Sequence, residues 1–353
     1  MSDLHQQYMF RCLELARKGA GFVSPNPMVG AVLVYQNRII GEGWHQLYGG
    51  PHAEVNCIRS VNPQDEHLIP DSTLYVSLEP CAHFGKTPPC SHLIIEKKIR
   101  KVVVACSDPF EAVNGKGIQL LQEAGIEVVT GVLEKEAIAL NNRFFCFHQQ
   151  KRPYIILKWA QTSDGFIASN SDNRLLITQE QTNRLVHRWR SEEAAILIGT
   201  ETAIKDNPSL TNRYWFGTSP LRLVVDRHLR LPDHLVMFND GKPVIIFNEQ
   251  KADEQGSLRF VKINSDQDCI DQLFTYCYQN GIQSILVEGG AKLLQSFIDT
   301  GLWDEVRTIT NTALQVGTGL QAPIIKNATL LHSLNSMTDQ INFYTHSKNK
   351  KTI

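Results

Sequence analysis

The sequence predicts an α/β protein of two domains. Three observations carry this. The chain has 353 residues, about twice a typical domain of roughly 150. Short apolar, β-branched runs alternate with helix-patterned segments along its length, the order expected of sheets with crossover helices. The pattern also restarts after His148-Gln149-Gln150-Lys151-Arg152-Pro153, which divides the chain into domains 1–148 and 153–346.

The elements follow in order. Leu4, Tyr8, Cys12 and Leu15 recur at helical spacing, with Gly19 as a stop. Val29 to Tyr35 and Ile39 to His45 read as strands joined by a turn at Asn37. A helix opens after Pro51 and runs from His52 to Ser60. Thr73 to Leu78 is a strand, Pro88-Pro89 starts a helix to about Lys98, and Lys101 to Cys106 is a strand. Gly117 to Ala124 is a helix capped by Gly125, before a strand at Ile126 to Thr130. In the second half, Tyr154 to Trp159 is a strand and Asp164-Gly165 a turn. Thr178-Gln179-Glu180-Gln181 reads as a capping box opening a helix to about Arg190. Strands are expected at Ala194 to Ile198, Leu221 to Val225, Val244 to Phe247 and Phe260 to Ile263. A helix at Asp268 to Gln279 precedes a strand at Ser284 to Glu288, then Gly289-Gly290 and a helix to Asp299. Strands at Glu305 to Ile309 and Ile341 to Tyr344 close the fold, and Ser347 to Ile353 is expected to be disordered.

Composition excludes several classes. No apolar run approaches the ~18 residues of a membrane helix. Met1-Ser2-Asp3-Leu4-His5 carries no basic region followed by an apolar one, so no secretory signal is expected and a cytoplasmic location is. Charge is balanced, 35 basic against 36 acidic residues, whereas a dedicated nucleic-acid binder shows a basic excess. Eight cysteines without a signal peptide are expected as thiols, not disulfides.

Two of those cysteines belong to a constellation: His52-Ala53-Glu54, Pro80-Cys81 and Cys90. One imidazole and two thiolates make a tetrahedral zinc set with one position open, the arrangement of a catalytic site. Glu54 is placed to move protons without ligating. A structural zinc needs a fourth ligand, which His83 or His92 would supply. His-x-Glu followed by Pro-Cys-x-x-Cys marks zinc nucleobase deaminases, but here eight residues separate Cys81 from Cys90. That loop carries His83, Lys86 and Thr87 among Gly85, Pro88 and Pro89, side chains suited to a phosphate or ribose.

Asn26-Pro27-Met28-Val29-Gly30, Gly43-Trp44-His45, Pro51-His52-Ala53-Glu54 and the Glu79 to Cys90 segment resemble the bifunctional deaminase–reductase family of riboflavin biosynthesis. The resemblance implies a cytidine-deaminase-like N-terminal domain. It implies a substrate, a diamino-pyrimidinone ribosylamino 5′-phosphate, held by Asn26, His45, His83, Lys86 and Thr87.

The second half lacks Gly-x-Gly-x-x-Gly after its first strand, so no Rossmann fingerprint is present. Gly289-Gly290 between a strand and a helix would let backbone amides approach a diphosphate. Lys158 to Gly165, Asp206 to Arg213 and Glu288-Gly289-Gly290 resemble the reductase half of the same family, in the same order. The resemblance implies a dihydrofolate-reductase-like fold and NADPH as cofactor. Ala160, Leu176, Thr202, Asp206, Gly289, Gly290, Ala291, Lys292, Leu293 and Leu294 would line the cofactor. Arg190, Leu210, Arg213 and Glu288 would line the substrate, with Lys158 and Asp164 near the reacting carbon. Guanidinium groups pair with phosphate bidentately. One departure stands out: Arg174 replaces the family's serine and Leu176 its aromatic, so either Arg174 takes over a phosphate contact or the loop is rearranged.

The expectation is a two-step enzyme: zinc-dependent deamination of the pyrimidine, then NADPH-dependent reduction of its ribosyl group to a ribityl chain. The partner is the small phosphorylated pyrimidine, with no nucleic acid and no membrane, and a homo-oligomer is expected. The alternative is a nucleic-acid-editing zinc deaminase with an appended binding module, which the balanced charge opposes.

Overall fold

The computed structural model describes residues 3–82, 88–111, 113–170 and 175–348. The chain forms two compact units, Met1–Lys151 and Arg152–Ile353.

The first unit holds α1 (Asp3–Arg17), β1 (Gly30–Tyr35), β2 (Arg38–Trp44), α2 (Ala53–Arg59), β3 (Thr73–Val76), α3 (Cys90–Glu96), β4 (Lys101–Val104), α4 (Lys116–Glu123), β5 (Glu127–Thr130), α5 (Glu134–Leu140) and α6 (Asn142–Gln150). The sheet order is β2-β1-β3-β4-β5. β1 is antiparallel to both β2 and β3, and β3, β4 and β5 are parallel. Gln36 and Asn37 both take positive φ in the β1–β2 hairpin, the conformation that matches strand twist.

Alternate side chains of each strand feed two cores. Val32, Val34 and Val103 join Met9, Leu13 and Phe145 from α1 and α6 on one face. Ala31, Leu33 and Val102 join Cys57, Ile94 and Leu121 from α2, α3 and α4 on the other. Helices therefore cover both faces of the sheet. A Cβ on Gly43 would lie 2.2 Å from the Cys57 amide nitrogen. Only glycine lets α2 sit this close to β2, and α2 carries Glu54, with His52 as its N-cap.

The second unit holds β6 (Tyr154–Thr162), β7 (Phe166–Ser169), α7 (Glu180–Glu192), β8 (Ala195–Gly199), α8 (Thr200–Asp206), β9 (Leu221–Val225), β10 (Val244–Asn248), β11 (Asp253–Gln255), β12 (Leu258–Lys262), α9 (Cys269–Gln279), β13 (Ser284–Val287), α10 (Ala291–Thr300), β14 (Glu305–Asn311), β15 (Gly319–Gln321), β16 (Ala328–Ser336) and β17 (Asp339–His346). Ten strands form one sheet in the order β11-β12-β10-β9-β8-β13-β6-β14-β17-β16. The seven from β12 to β14 are parallel neighbours. β7 and β15 form a separate antiparallel pair. Parallel strands buried on both faces read as near-continuous apolar runs, as Ala195-Ile196-Leu197-Ile198 does.

The capping box at Thr178 is corrected. The N-cap of α7 is Gln179, with no side-chain cap bond. Its amide donates instead to Asp339 Oδ2 at 2.8 Å, so a distant strand satisfies the helix end. α5, α6, α8, β7, β11, β15 and β16 carry no sequence expectation of their own. β16 is an edge strand, largely exposed and without an alternating apolar face. At the C-terminus, the Ser347 amide donates to Asn327 O at 2.7 Å; the expectation of disorder over residues 349–353 lies outside the described residues.

Candidate active sites

In the first unit, His52 is the N-cap of α2 but makes no side-chain cap bond, so its ring is available to the site. Cys90 is the first residue of α3. His52 Nδ1 lies 3.5 Å from Cys81 Sγ and 3.3 Å from Cys90 Sγ. All three ligand atoms fall within 4.8 Å of one another. Zinc bonds of about 2.3 Å to sulfur and 2.0 Å to nitrogen, at a tetrahedral angle, require an S···N separation of about 3.5 Å. Both S···N separations match this, so the donor set suits zinc. It is the metal-ligating cluster found among the described residues, and His92 is not part of it.

Local bonds hold the cradle. The Cys90 amide donates to Cys81 Sγ at 3.3 Å. Ser91 donates to the Cys81 carbonyl through its amide, at 3.2 Å, and its hydroxyl, at 3.1 Å. Hydrogen bonding from Cys90, and then from His52, lowers the Cys81 thiol, while Cys81 and burial push Cys90 up. Glu54 lies in the first turn of α2 and is 3% exposed. Burial, and then the Cys81 sulfur, raise its carboxyl above the ordinary range.

His45 and Asn26 stand beside this centre. The His45 and His52 rings meet edge to face with centroids 5.4 Å apart. His45 Nδ1 donates to Pro51 O at 3.0 Å, and its Nε2 accepts from Asn26 Nδ2 at 3.2 Å. These partners assign a neutral imidazole, which burial also favours by lowering its pKa. The expected contacts His83, Lys86 and Thr87 lie outside the described residues.

Two supporting residues have no role assigned from the sequence. Glu79 is 3% exposed, and its carboxylate accepts from the amides of Asp108, Gly115, Gly117 and Ile118 at 2.9 to 3.3 Å. This pins the segment entering Pro80-Cys81 to the start of α4. Asn141 links α5 and α6; it accepts from the Met28 amide at 2.8 Å and donates to the Met28 carbonyl at 2.9 Å. The loop carrying Asn26 is thereby fixed from 113 residues away.

In the second unit, Glu288, Gly289 and Gly290 follow the carboxyl end of β13, and Thr202 lies on α8, directly after β8; open α/β sheets bind ligands at such strand ends. β13 pairs with β6, Val287 opposite Leu157, so Glu288 and Lys158 follow as neighbours. Glu288 accepts from Arg190 Nε at 2.9 Å and Nη2 at 2.6 Å, with Lys158 Nζ 3.9 Å away. Burial alone would raise the Glu288 carboxyl, but Arg190 and Lys158 outweigh it and hold it at about 2.

Gly289 and Gly290 lie between β13 and α10. A Cβ on Gly289 would lie 2.8 Å from Ile198 Cβ and 3.1 Å from Thr202 Cγ2. Gly290 has φ 66° and opens the ten-residue helix α10. Two glycines, the α10 amides and Thr202 make a cradle that fits a diphosphate. Ala160 is half-buried on β6, and Ala291 and Leu293 are half-buried on α10; Lys292 is exposed there, and Asp206 is exposed at the end of α8. Leu176 is 78% exposed.

Three of the expected residues have particular surroundings. The Leu210 side chain is 2% exposed and belongs to the core with Ile196, Val224 and Met237, so only its backbone is left to face a substrate. Leu294 likewise packs in the core with Phe297. Asp164 is bound to its surroundings: it accepts from Thr162 Oγ1 at 2.5 Å and from the amides of Val316 and Gly317 at 3.1 and 2.8 Å. It fixes the turn against the 314–317 segment. Arg174 lies outside the described residues. The fold and the sites together define a two-domain enzyme, a zinc-dependent deaminase joined to a nucleotide-dependent reductase.

Comparison with known proteins narrows this class. Residues 2–106 match the cytidine and deoxycytidylate deaminase zinc-binding region, and residues 153–333 match the RibD C-terminal domain. The riboflavin biosynthesis protein RibD of Aquifex aeolicus is 38% identical over 86% of this chain and 86% of its own. That of Bacillus amyloliquefaciens is 38% identical over 86% of this chain and 83% of its own. The crystal structure of a diaminohydroxyphosphoribosylaminopyrimidine deaminase/5-amino-6-(5-phosphoribosylamino)uracil reductase from Thermotoga maritima has a TM-score of 0.88 at 36% identity, covering 97% of this chain and 99% of that one. Acinetobacter baumannii RibD has a TM-score of 0.87 at 32% identity, covering 97% and 98%. The chain belongs to the RibD family of bifunctional riboflavin-biosynthesis deaminase/reductases.

Proposed function

We propose that the unit up to residue 148 deaminates 2,5-diamino-6-ribosylamino-4(3H)-pyrimidinone 5′-phosphate, and that the unit from residue 153 reduces the product's ribosyl group to ribityl. The observation that carries this reading is the His52, Cys81, Cys90 triad with a buried, non-ligating Glu54 two residues from His52.

Zinc, when bound, supplies Lewis acidity that makes water a nucleophile near neutral pH. The protein does the rest. Glu54 takes a proton from the water that attacks the amino-bearing C2 and returns it to the departing amine, so ammonia leaves. Neutral His45 and Asn26 orient the pyrimidine. In the second unit NADPH, when bound, supplies a hydride for C1′ of the ring-opened imine, and the imine nitrogen takes a proton. Glu288 holds Arg190 and Lys158 at the sugar, and Arg213 takes the phosphate. Asp164 supports the loop that borders this site.

The reading extends to setting. No helix is long and apolar enough to cross a membrane among the described residues, and none of the eight cysteines is in a disulfide. Free thiols suit the reducing, cytoplasmic location proposed for this chain. Leu330, Leu331 and Leu334 are exposed on the edge strand β16, which supports association with a second copy.

A chelator tests the division of labour. Stripping zinc is expected to abolish ammonia release while NADPH oxidation on the already deaminated intermediate persists. Loss of both activities together, with the protein still folded, would contradict two independent sites.

A further inference from the structure

His187 belongs to no motif and to neither expected ligand set. It lies on α7, one turn before Arg190, and is 2% exposed. Its Nδ1 accepts the Arg213 amide at 2.9 Å, and its ring packs edge-on against Tyr214, with centroids 4.6 Å apart. Arg190 Nη1 donates to the Thr211 carbonyl at 3.2 Å. α7 thus grips the 209–214 segment at two points. That segment needs holding, because Leu210 within it adopts positive φ, which non-glycine residues disfavour.

The segment presents a cation. Arg190 is committed to Glu288, but Arg213 is exposed and its contacts are neutral: the hydroxyls of Ser209 and Thr211, and the Tyr214 ring 5.6 Å away. One guanidinium flanked by two hydroxyls is a suitable receptor for a phosphate monoester. We propose that His187 is the positioning residue that sets Arg213 to receive the 5′-phosphate of the reductase substrate.

The imidazole suits this task because it stays neutral. Burial, and then the charges of Arg190 and Arg213, lower it to about 4, so Nδ1 keeps the lone pair that accepts the Arg213 amide. A protonated ring could not accept it. The inference rests on the reductase reading above, and the experiment separates the two.

His187→Leu and His187→Gln remove the Nδ1 acceptor, whereas His187→Asn keeps an acceptor near the same place. Reductase kinetics are measured on the deaminated pyrimidine sugar phosphate and its dephosphorylated form, with inorganic phosphate as inhibitor. Ammonia release by the same chain reports folding of the other unit. The Leu and Gln variants are expected to raise KM for the phosphorylated substrate about 10- to 100-fold, the size of one charge-assisted contact, with kcat within a few-fold. KM for the dephosphorylated form is expected to be unmoved, inhibition by inorganic phosphate to weaken, and the Asn variant to recover most of the loss. Should the Leu variant fail to fold, the Gln variant, which keeps a polar group, carries the test. An unchanged KM, or equal losses on both substrates, would overturn the role of His187. A wild-type enzyme that reduces neither substrate would instead overturn the reductase reading.

Discussion

Glu54→Gln is expected to keep zinc and lose ammonia release by about 10²- to 10⁴-fold, the usual contribution of a positioned general acid–base. Gln preserves the shape of the side chain but cannot accept the water proton and return it. The three ligand atoms are His52 Nδ1, Cys81 Sγ and Cys90 Sγ, so metal content has no dependence on the carboxylate. Glu54 is nearly inaccessible, and no bulk-solvent base takes its place. Zinc content and initial rates of ammonia release, measured on one preparation, check this. Normal ammonia release by the variant would remove Glu54 from the mechanism. Loss of zinc would instead make it a structural partner of the metal.

The second large effect is expected at Glu288→Ala. Glu288 neutralises Arg190 bidentately and faces Lys158, and the side chains of all three are mostly buried. Alanine strands a buried guanidinium, and removing one partner of a buried pair costs about 3–5 kcal/mol. Glu288 titrates at about 2 in place of 4.5, which corresponds to about 3 kcal/mol at 1.36 kcal/mol per pH unit. The sign follows from the depressed value. The contribution is fully present above pH 4.5 and is lost as pH falls through about 2. Chemical unfolding at neutral pH should therefore show the loss in the variant, and the difference from wild type should close in acid. Reduction should fall about 100-fold, as expected when a positioned cation shifts by an ångström. A variant of wild-type stability would contradict the ion pair as drawn.

The strands and helices of both cores were legible because their apolar periodicity is local. So was the metal site: His52, Glu54, Cys81 and Cys90 stand within 39 residues, and all but Cys81 belong to helix starts that Pro51 and Pro88-Pro89 announce. What escaped is non-local. Gln179 finds its amide partner on Asp339, 160 residues away, so a local capping rule chose the wrong residue. Asn141 and Glu79 act through backbone amides of loops remote in sequence, and such bonds leave no spacing to read. His187 looks like any polar residue on an amphipathic helix until Arg213 is folded against it. Leu210 shows the converse: it stands inside the Asp206 to Arg213 run, yet its side chain turns into the core.

The central claim is that one chain performs two successive reactions. Its most direct test is a single time course on purified, zinc-quantified protein supplied with the diamino-pyrimidinone ribosylamino phosphate and NADPH, following ammonia and NADPH together. The expected result is one zinc per chain, ammonia appearing first, and NADPH oxidised mole for mole afterwards. NADPH consumption without prior ammonia release, or ammonia release that never leads to NADPH oxidation, would contradict it.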